Sequence, residues 1–388
     1  MIVRRTLPVE VITERTRLIV AIEKMASTDA VALDTESNSL HHYPEQLCLI
    51  QTATRDAVYI VDPISLRDVE PMRKVLIDDS VVKVIHGADY DIRSLDRHYG
   101  LSIRNLYDTS VAARFAGAAQ FGLAAILKDT LGVAVPKSKQ LQLTDWGKRP
   151  LPAGALDYAI ADVLHLLPLK EALDKKLDVL GRTEWVAEEC ARLEQVRYNG
   201  PDPENAYLST KGARDLDARG LTVLRSLFAF RENEARRQRR PPFFVVPDAG
   251  LVSLAANPSM DISEVPGLGQ TGRQRYGRGL QQAIRGGLAA PLVEVPSFKR
   301  WERPGHEEIQ RLSQLKAWRT SLATSLSLDP PLLWPTVSLE RLAKSPSTLN
   351  EELDALEIRD WQRGEFEASL RNFVESLPRP RLNHTSLR

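Results

Sequence analysis

Along the first half of the chain, apolar residues come in two rhythms. From Val9 to Ala26 they recur at Val11, Leu18, Ile19, Ala21, Ile22 and Met25, a helical spacing that predicts a helix leading into the first strand. Short apolar runs follow at Val31–Thr35, Leu47–Thr52 and Val58–Val61, separated by polar segments. They predict three strands in an antiparallel meander. The pattern then predicts a helix over 69–77, a buried strand over 81–85, and a turn at Gly87 opening another helix. Leu106–Thr109 opens a helix through Phe115 with Asp108 or Thr109 as its cap, and residues 157–167 form a strongly apolar helix. Strands followed by strand–helix alternation imply an α/β domain with a mixed sheet.

Beyond Tyr198 the pattern changes. Residues 199–205 are a turn-rich linker, and residues 291–305 form a second one containing three prolines. Each precedes a segment of helical spacing. The two segments share a layout: a helix ending in Phe230-Arg231 or Trp318-Arg319, a Pro-Pro pair at 241–242 or 330–331, then short helices. They read as divergent copies of one helical unit. The expected division is 1–200, 209–290 and 305–378, with 379–388 a disordered end.

Charge sharpens this division. The 388 residues carry a net charge of +1, yet residues 209–290 hold 13 Lys/Arg against 7 Asp/Glu, or +6. A basic module is thus hidden in a neutral chain, with Arg236, Arg237, Arg239 and Arg240 clustered at a helix end. Such a cluster is expected to meet a nucleic-acid backbone. Cys48 and Cys190 give neither a disulfide framework nor a metal-knuckle spacing, which fits a reducing compartment. No apolar run approaches the ~20 residues of a membrane span, so the expected location is the cytoplasm.

The chemistry lies in the acids. On a strand, residues i and i+2 share a face, so Asp34 and Glu36 project side by side at the end of an apolar run. Two like charges so close raise each other's pKa unless a metal ion or a shared proton separates them. Asp89 and Asp91 follow the 81–85 strand. Asp89 is the better helix cap, which leaves Asp91 free for chemistry. Tyr158 and Asp162 are i and i+4 on one helix and stack a turn apart. Clustered carboxylates are hard ligands for Mg2+ or Mn2+, and two such ions ~4 Å apart suit in-line displacement at phosphorus. Spacing alone leaves open whether these acids converge.

The motifs Leu33-Asp34-Thr35-Glu36, His86-Gly87-Ala88-Asp89-Tyr90-Asp91 and Tyr158-Ala159-Ile160-Ala161-Asp162 resemble the three exonuclease motifs of the tyrosine-bearing DEDD branch. With Leu47–Gln51, Lys137-Ser138-Lys139, Asp145-Trp146 and Arg149-Pro150-Leu151, the first 200 residues resemble the ribonuclease D family, and the tail units resemble HRDC domains. The resemblance implies an RNase H-like α/β exonuclease domain followed by two all-α HRDC-type domains. It implies 3′→5′ hydrolysis releasing nucleoside 5′-monophosphates from RNA, including tRNA precursors. By position, Asp34 would bridge two metal ions, Glu36 and Asp162 would hold the water-activating ion, Asp91 would serve the second ion, and Tyr158 would position the nucleophile. His86, Lys137, Lys139 and Arg149 are further expected nucleic-acid contacts, and a monomer is the expected state. The rival expectations are the same chemistry on single-stranded DNA, and a non-catalytic nucleic-acid-binding scaffold.

Overall fold

A computed structural model describes residues 7–135, 139–152, 154–295 and 304–377. The expected contacts at Lys137 and the side chain of Lys139, and the expected disordered end at 379–388, lie outside the described residues. A six-stranded mixed sheet runs in the order β1-β4-β3-β2-β5-β6. Its strands are β1 (Val9–Ile12), β2 (Ala30–Ser37), β3 (Leu47–Ala53), β4 (Val58–Val61), β5 (Val82–Ile85) and β6 (Leu106–Asp108). The meander β2-β3-β4 is antiparallel, as the sequence predicts, while β1, β5 and β6 join in parallel.

Helix α1 (Arg15–Ala26) covers one face, and α2 (Asp89–Tyr99) and α3 (Thr109–Phe115) follow β5 and β6. The apolar helix is α5 (Ala155–Leu164), preceded by α4 (Leu123–Leu131) and followed after His165 by α6 (Leu166–Leu180) and α7 (Thr183–Leu193).

Three expectations are corrected. Val9–Ile12 is an edge strand rather than the start of a helix; Val9 and Val11 are exposed while Ile12 is buried, so the apparent helical spacing joins residues of two elements. The 69–77 segment splits into a 3-10 turn, Glu70–Met72, and a short helix, Arg73–Leu76, because Pro71 removes a backbone donor. Asp89 does not cap α2: it pairs with Arg93 one turn on. The donors of that turn, the Gly87 and Ala88 N–H groups, go instead to Asp108, which also caps α3 through Ser110 and Val111. One buried carboxylate therefore fixes the ends of two neighbouring strand–helix turns, with Gly87 at φ 75° making the tight bend.

The first tail unit is built on α8 (Ala218–Gln238), α9 (Asp248–Ala256) and α10 (Gln270–Ala289); the second on α11 (His306–Leu326), α12 (Thr336–Lys344) and α13 (Asp360–Ser376). Both contain the same internal clamp. Arg231 of α8 donates to the Val246 carbonyl and the Asp248 carboxylate. Arg319 of α11 donates to the Trp334 carbonyl and Thr336 hydroxyl, at the same two offsets along the chain. Each long helix then ends in a left-handed residue, Arg239 or Ser327. The two clamps thus share one spacing.

Their docking differs. The second unit shares a continuous apolar core with the catalytic domain. Trp361 stacks on Trp185 of α7 at 4.6 Å and meets Phe115 edge-on at 5.2 Å. Arg359 pairs with Glu189, and Glu188 accepts the Asp360 and Trp361 backbone N–H groups. The first unit keeps its own core and reaches the catalytic domain through Tyr43, whose hydroxyl donates to Glu232 of α8 while Arg236 lies over its ring. Trp361→Ala is expected to lower stability by about 3 kcal/mol, the usual cost of emptying a large aromatic site, measured by denaturant unfolding. A loss within 0.5 kcal/mol would mean that this face does not bind the two domains together.

Candidate active site

Strand β2 carries Asp34 and Glu36 on the face covered by α5, where Ala159 and Val163 pack against Ala30, Ala32 and Leu49. That helix brings Asp162 over the strand end, and one carboxylate oxygen from each of Asp34, Glu36 and Asp162 lies within 4.8 Å of the other two. A bulge between Glu36 and Ser37 breaks the β2–β3 register at this point. Bulges turn a strand and re-aim its side chains, and this one closes the acid-bearing edge.

Asp91, on the first turn of α2, stands outside that trio. It is 5% exposed, and its Oδ1 accepts the Thr35 hydroxyl at 2.6 Å. Thr35 points to the opposite face of β2 from its two acidic neighbours, so it ties the α2 acid to the strand that bears the others.

Among the described residues no basic side chain forms an ion pair with any of the four acids, and the electrostatics follow. Burial, then the charges of Asp91, Asp162 and Glu36, push Asp34 well above the usual carboxylate range. Burial with Asp162 and Asp91 raises Glu36 to about 8. Burial also raises Asp91, against the Thr35 hydrogen bond, and lifts Asp162 to about 6 against a hydrogen bond from Tyr158. Tyr158 itself is pushed up to about 12 by burial and the Asp162 charge, so its hydroxyl stays protonated at neutral pH. A protonated hydroxyl in this position can orient a water molecule. Mutually repelling hard oxygen donors fit a divalent cation, which would remove the repulsion that protons otherwise relieve.

Other expected contacts turn out to be engaged within the fold. His86 bonds Thr109 through Nδ1 at 2.9 Å and the Phe121 carbonyl through Nε2 at 3.0 Å, so both ring nitrogens are used. Arg149 forms a bidentate pair with buried Asp62 at 2.7 and 2.8 Å and donates to the carbonyls of Trp146, Lys148 and Cys48. It pins the loop that carries Trp146 beneath Tyr158, their rings 6.3 Å apart. Both side chains thus have a structural part within the fold. Trp146, Trp318, Trp334 and Trp361 are all core residues.

In the basic cluster, Arg236 pairs with Glu232, Arg237 pairs with Glu234, and Arg240 lies over the Phe244 ring at 4.6 Å. Phe243 and Phe244, 49% and 48% exposed, lie side by side. The sequence reading passed over them; the signal was two aromatics placed directly after a basic run and a Pro-Pro break.

Residues 9–178 match the family described as 3'-5' exonuclease, and residues 220–284 match the HRDC domain. The chain is 30% identical over 329 residues to a ribonuclease D of Desulfotalea psychrophila, covering 84% of this chain and 87% of the relative. It is 27% identical over 375 residues to ribonuclease D of Escherichia coli, covering 95% and 99%. The crystal structure of Escherichia coli RNase D, described as an exoribonuclease involved in structured RNA processing, matches with a TM-score of 0.73 at 25% identity, over 95% of this chain and 99% of that one. The catalytic core of RRP6 from Trypanosoma brucei matches at 0.64 and 27%, over 74% and 82%.

Fold and matches together define the class: an RNase H-like 3′→5′ exonuclease domain followed by an HRDC domain. Within that class the chain belongs to the ribonuclease D family and is a hydrolytic 3′→5′ exoribonuclease that uses divalent metal. Among the described residues, no helix is long and apolar enough to cross a membrane.

The raised acid pKa values carry a stability prediction. Folded groups that bind protons more tightly than unfolded ones lose stability as pH rises between the two pKa values. In chelator, the metal-free protein is expected to lose thermal stability from about pH 5 to about pH 8, the window set by ordinary carboxylates and the Glu36 value. Glu36→Gln should flatten that slope and raise the midpoint at pH 8 by a few degrees. A slope unchanged in the variant would contradict the repulsion described here.

Proposed function

We propose that Asp34, Glu36, Asp91 and Asp162 hold two divalent cations, Mg2+ or Mn2+, and that Tyr158 orients the attacking water. The observation that carries this reading is the trio of carboxylates within 4.8 Å on β2 and α5, with Tyr158 one turn from Asp162. Bound cations would lower the pKa of water and neutralise the charge developing on the scissile phosphate. The protein's own part is to fix the donors on rigid elements. Tyr158, hydrogen-bonded to Asp162, would present its hydroxyl to the nucleophile. Hydrolysis at the terminal phosphodiester then releases nucleoside 5′-monophosphates.

We assign the RNA upstream of the scissile bond to the first HRDC unit. Arg236 sits over Tyr43 on the loop that follows the acid-bearing strand, and the line continues through Arg239 and Arg240 to the Phe243–Phe244 pair. Arginines for phosphates beside exposed rings for bases are the usual parts of a single-strand track. Trimming of structured RNA 3′ ends, tRNA precursors among them, in the cytoplasm follows as the proposed role. It is supported by the likeness to the Escherichia coli enzyme.

The test is digestion of matched 5′-labelled single-stranded RNA and DNA with Mg2+ or Mn2+. Stepwise shortening of RNA from its 3′ end is expected, with Asp34→Ala inactive and Tyr158→Phe slowed at least about 100-fold. Full activity of Asp34→Ala would overturn the site, and preference for DNA would overturn the substrate. For the track, replacing Arg239 and Arg240 with alanine should lower the slope of log affinity against log salt by about 1.4. An unchanged slope would remove those arginines from the backbone contact.

A further inference from the structure

Beneath the acids lies a polar group with nothing to bond. Gln51 stands on β3 directly opposite Asp34 in the antiparallel ladder, so the two side chains share one face. Its neighbour on the other side is Ile60 of β4, and Leu49 and Ala53 flank it along the strand. With Ala159 and Val163 of α5, these make an apolar layer. Gln51 is 0% exposed, and neither its amide nitrogen nor its amide oxygen has a partner among the described residues. The Trp146 indole N–H belongs to the same layer, is 1% exposed, and is also without a partner.

Buried polar groups are rarely left unsatisfied, and one beside a functional site needs a reason. The charged side chain directly opposite Gln51 in the ladder is Asp34. An amide N–H donates best to an ionised carboxylate, and a carboxylate that holds a divalent cation is ionised. A cation-bound Asp34 would offer the amide a charged acceptor at the position Gln51 already faces.

We propose that Gln51 is a positioning residue for Asp34: with the cations bound, its amide N–H donates to the Asp34 carboxylate and fixes its orientation. This rests on the reading of Asp34 as a cation ligand. Groups that hold a ligand from behind commonly change metal affinity 10–100-fold when removed. The role has a signature that packing does not. Replacing Gln51 by an apolar residue of similar size removes an unsatisfied group from the empty site and a hydrogen bond from the loaded one, so the two states respond with opposite sign.

The test is calorimetric titration of Mn2+ into the full-length protein, with thermal unfolding in chelator beside it. Gln51→Met is the main variant and Gln51→Leu the second, so that one misfolded protein does not end the experiment. The expected result is Mn2+ binding weakened at least 10-fold with an unchanged or higher midpoint in chelator. Thr52→Val is the control. Thr52 is 1% exposed and its hydroxyl is equally unpartnered, but it points to the opposite face, so Mn2+ affinity should not move. Wild-type Mn2+ affinity in both Gln51 variants, or an equal loss in Thr52→Val, would overturn the proposal. Asp34→Asn separates the two readings: if it too binds Mn2+ like wild type, the site assignment has failed rather than the role of Gln51.

Discussion

Everything in the catalytic domain answers to one unfavourable interaction, the crowding of four carboxylates at one end of a sheet. Left to relax, Asp34, Glu36, Asp91 and Asp162 would separate or collect protons: burial raises all four, and the neighbouring acids raise Asp34 and Glu36 further. The fold prevents separation by placing them on elements that cannot move apart. Strand β2 is paired on both sides, by β3 and β5. Helix α5 is locked on the sheet through Ala159 and Val163, and α2 is tied to β2 by the Thr35–Asp91 bond. Local stability is given up where the chemistry is to happen, and the rest of the domain over-determines the geometry.

The surrounding polar contacts serve that constraint. Asp108 fixes the turn before α2 and the start of α3 together, which sets where Asp91 stands. The Arg149–Asp62 pair pins the loop whose Trp146 lies under Tyr158. The two tail units divide the remaining work by charge. Residues 209–290 are net positive and touch the loop after the acid-bearing strand, whereas residues 304–377 hold 8 Lys/Arg against 12 Asp/Glu and share a core with the catalytic domain. The first unit suits a polyanion and the second braces the enzyme.

Much of this was legible in the sequence because it rests on local rules. The meander is written in three apolar runs, and the convergence of Asp34 and Glu36 in the two-residue period of a strand. What was not legible depends on partners distant in the chain. Val9–Ile12 is a strand only because β4 lies beside it, and the three-residue β6 only because β5 does. Asp89 had the right position for a cap but lost that role to Asp108, nineteen residues on. Nothing in the sequence shows that Arg149 and His86, read there as nucleic-acid contacts, are also held within the fold by Asp62, Thr109 and Phe121. The orphaned amide of Gln51 could not be read at all before the register set it opposite Asp34.

The most direct test of the central claim is to locate the ions themselves, by anomalous diffraction from crystals grown with Mn2+. Two peaks are expected at the mouth of the Asp34, Glu36 and Asp162 cluster, one of them on the side of Asp91. Both should vanish in Asp34→Ala. Peaks elsewhere on the protein, or none at this cluster at saturating Mn2+, would contradict it.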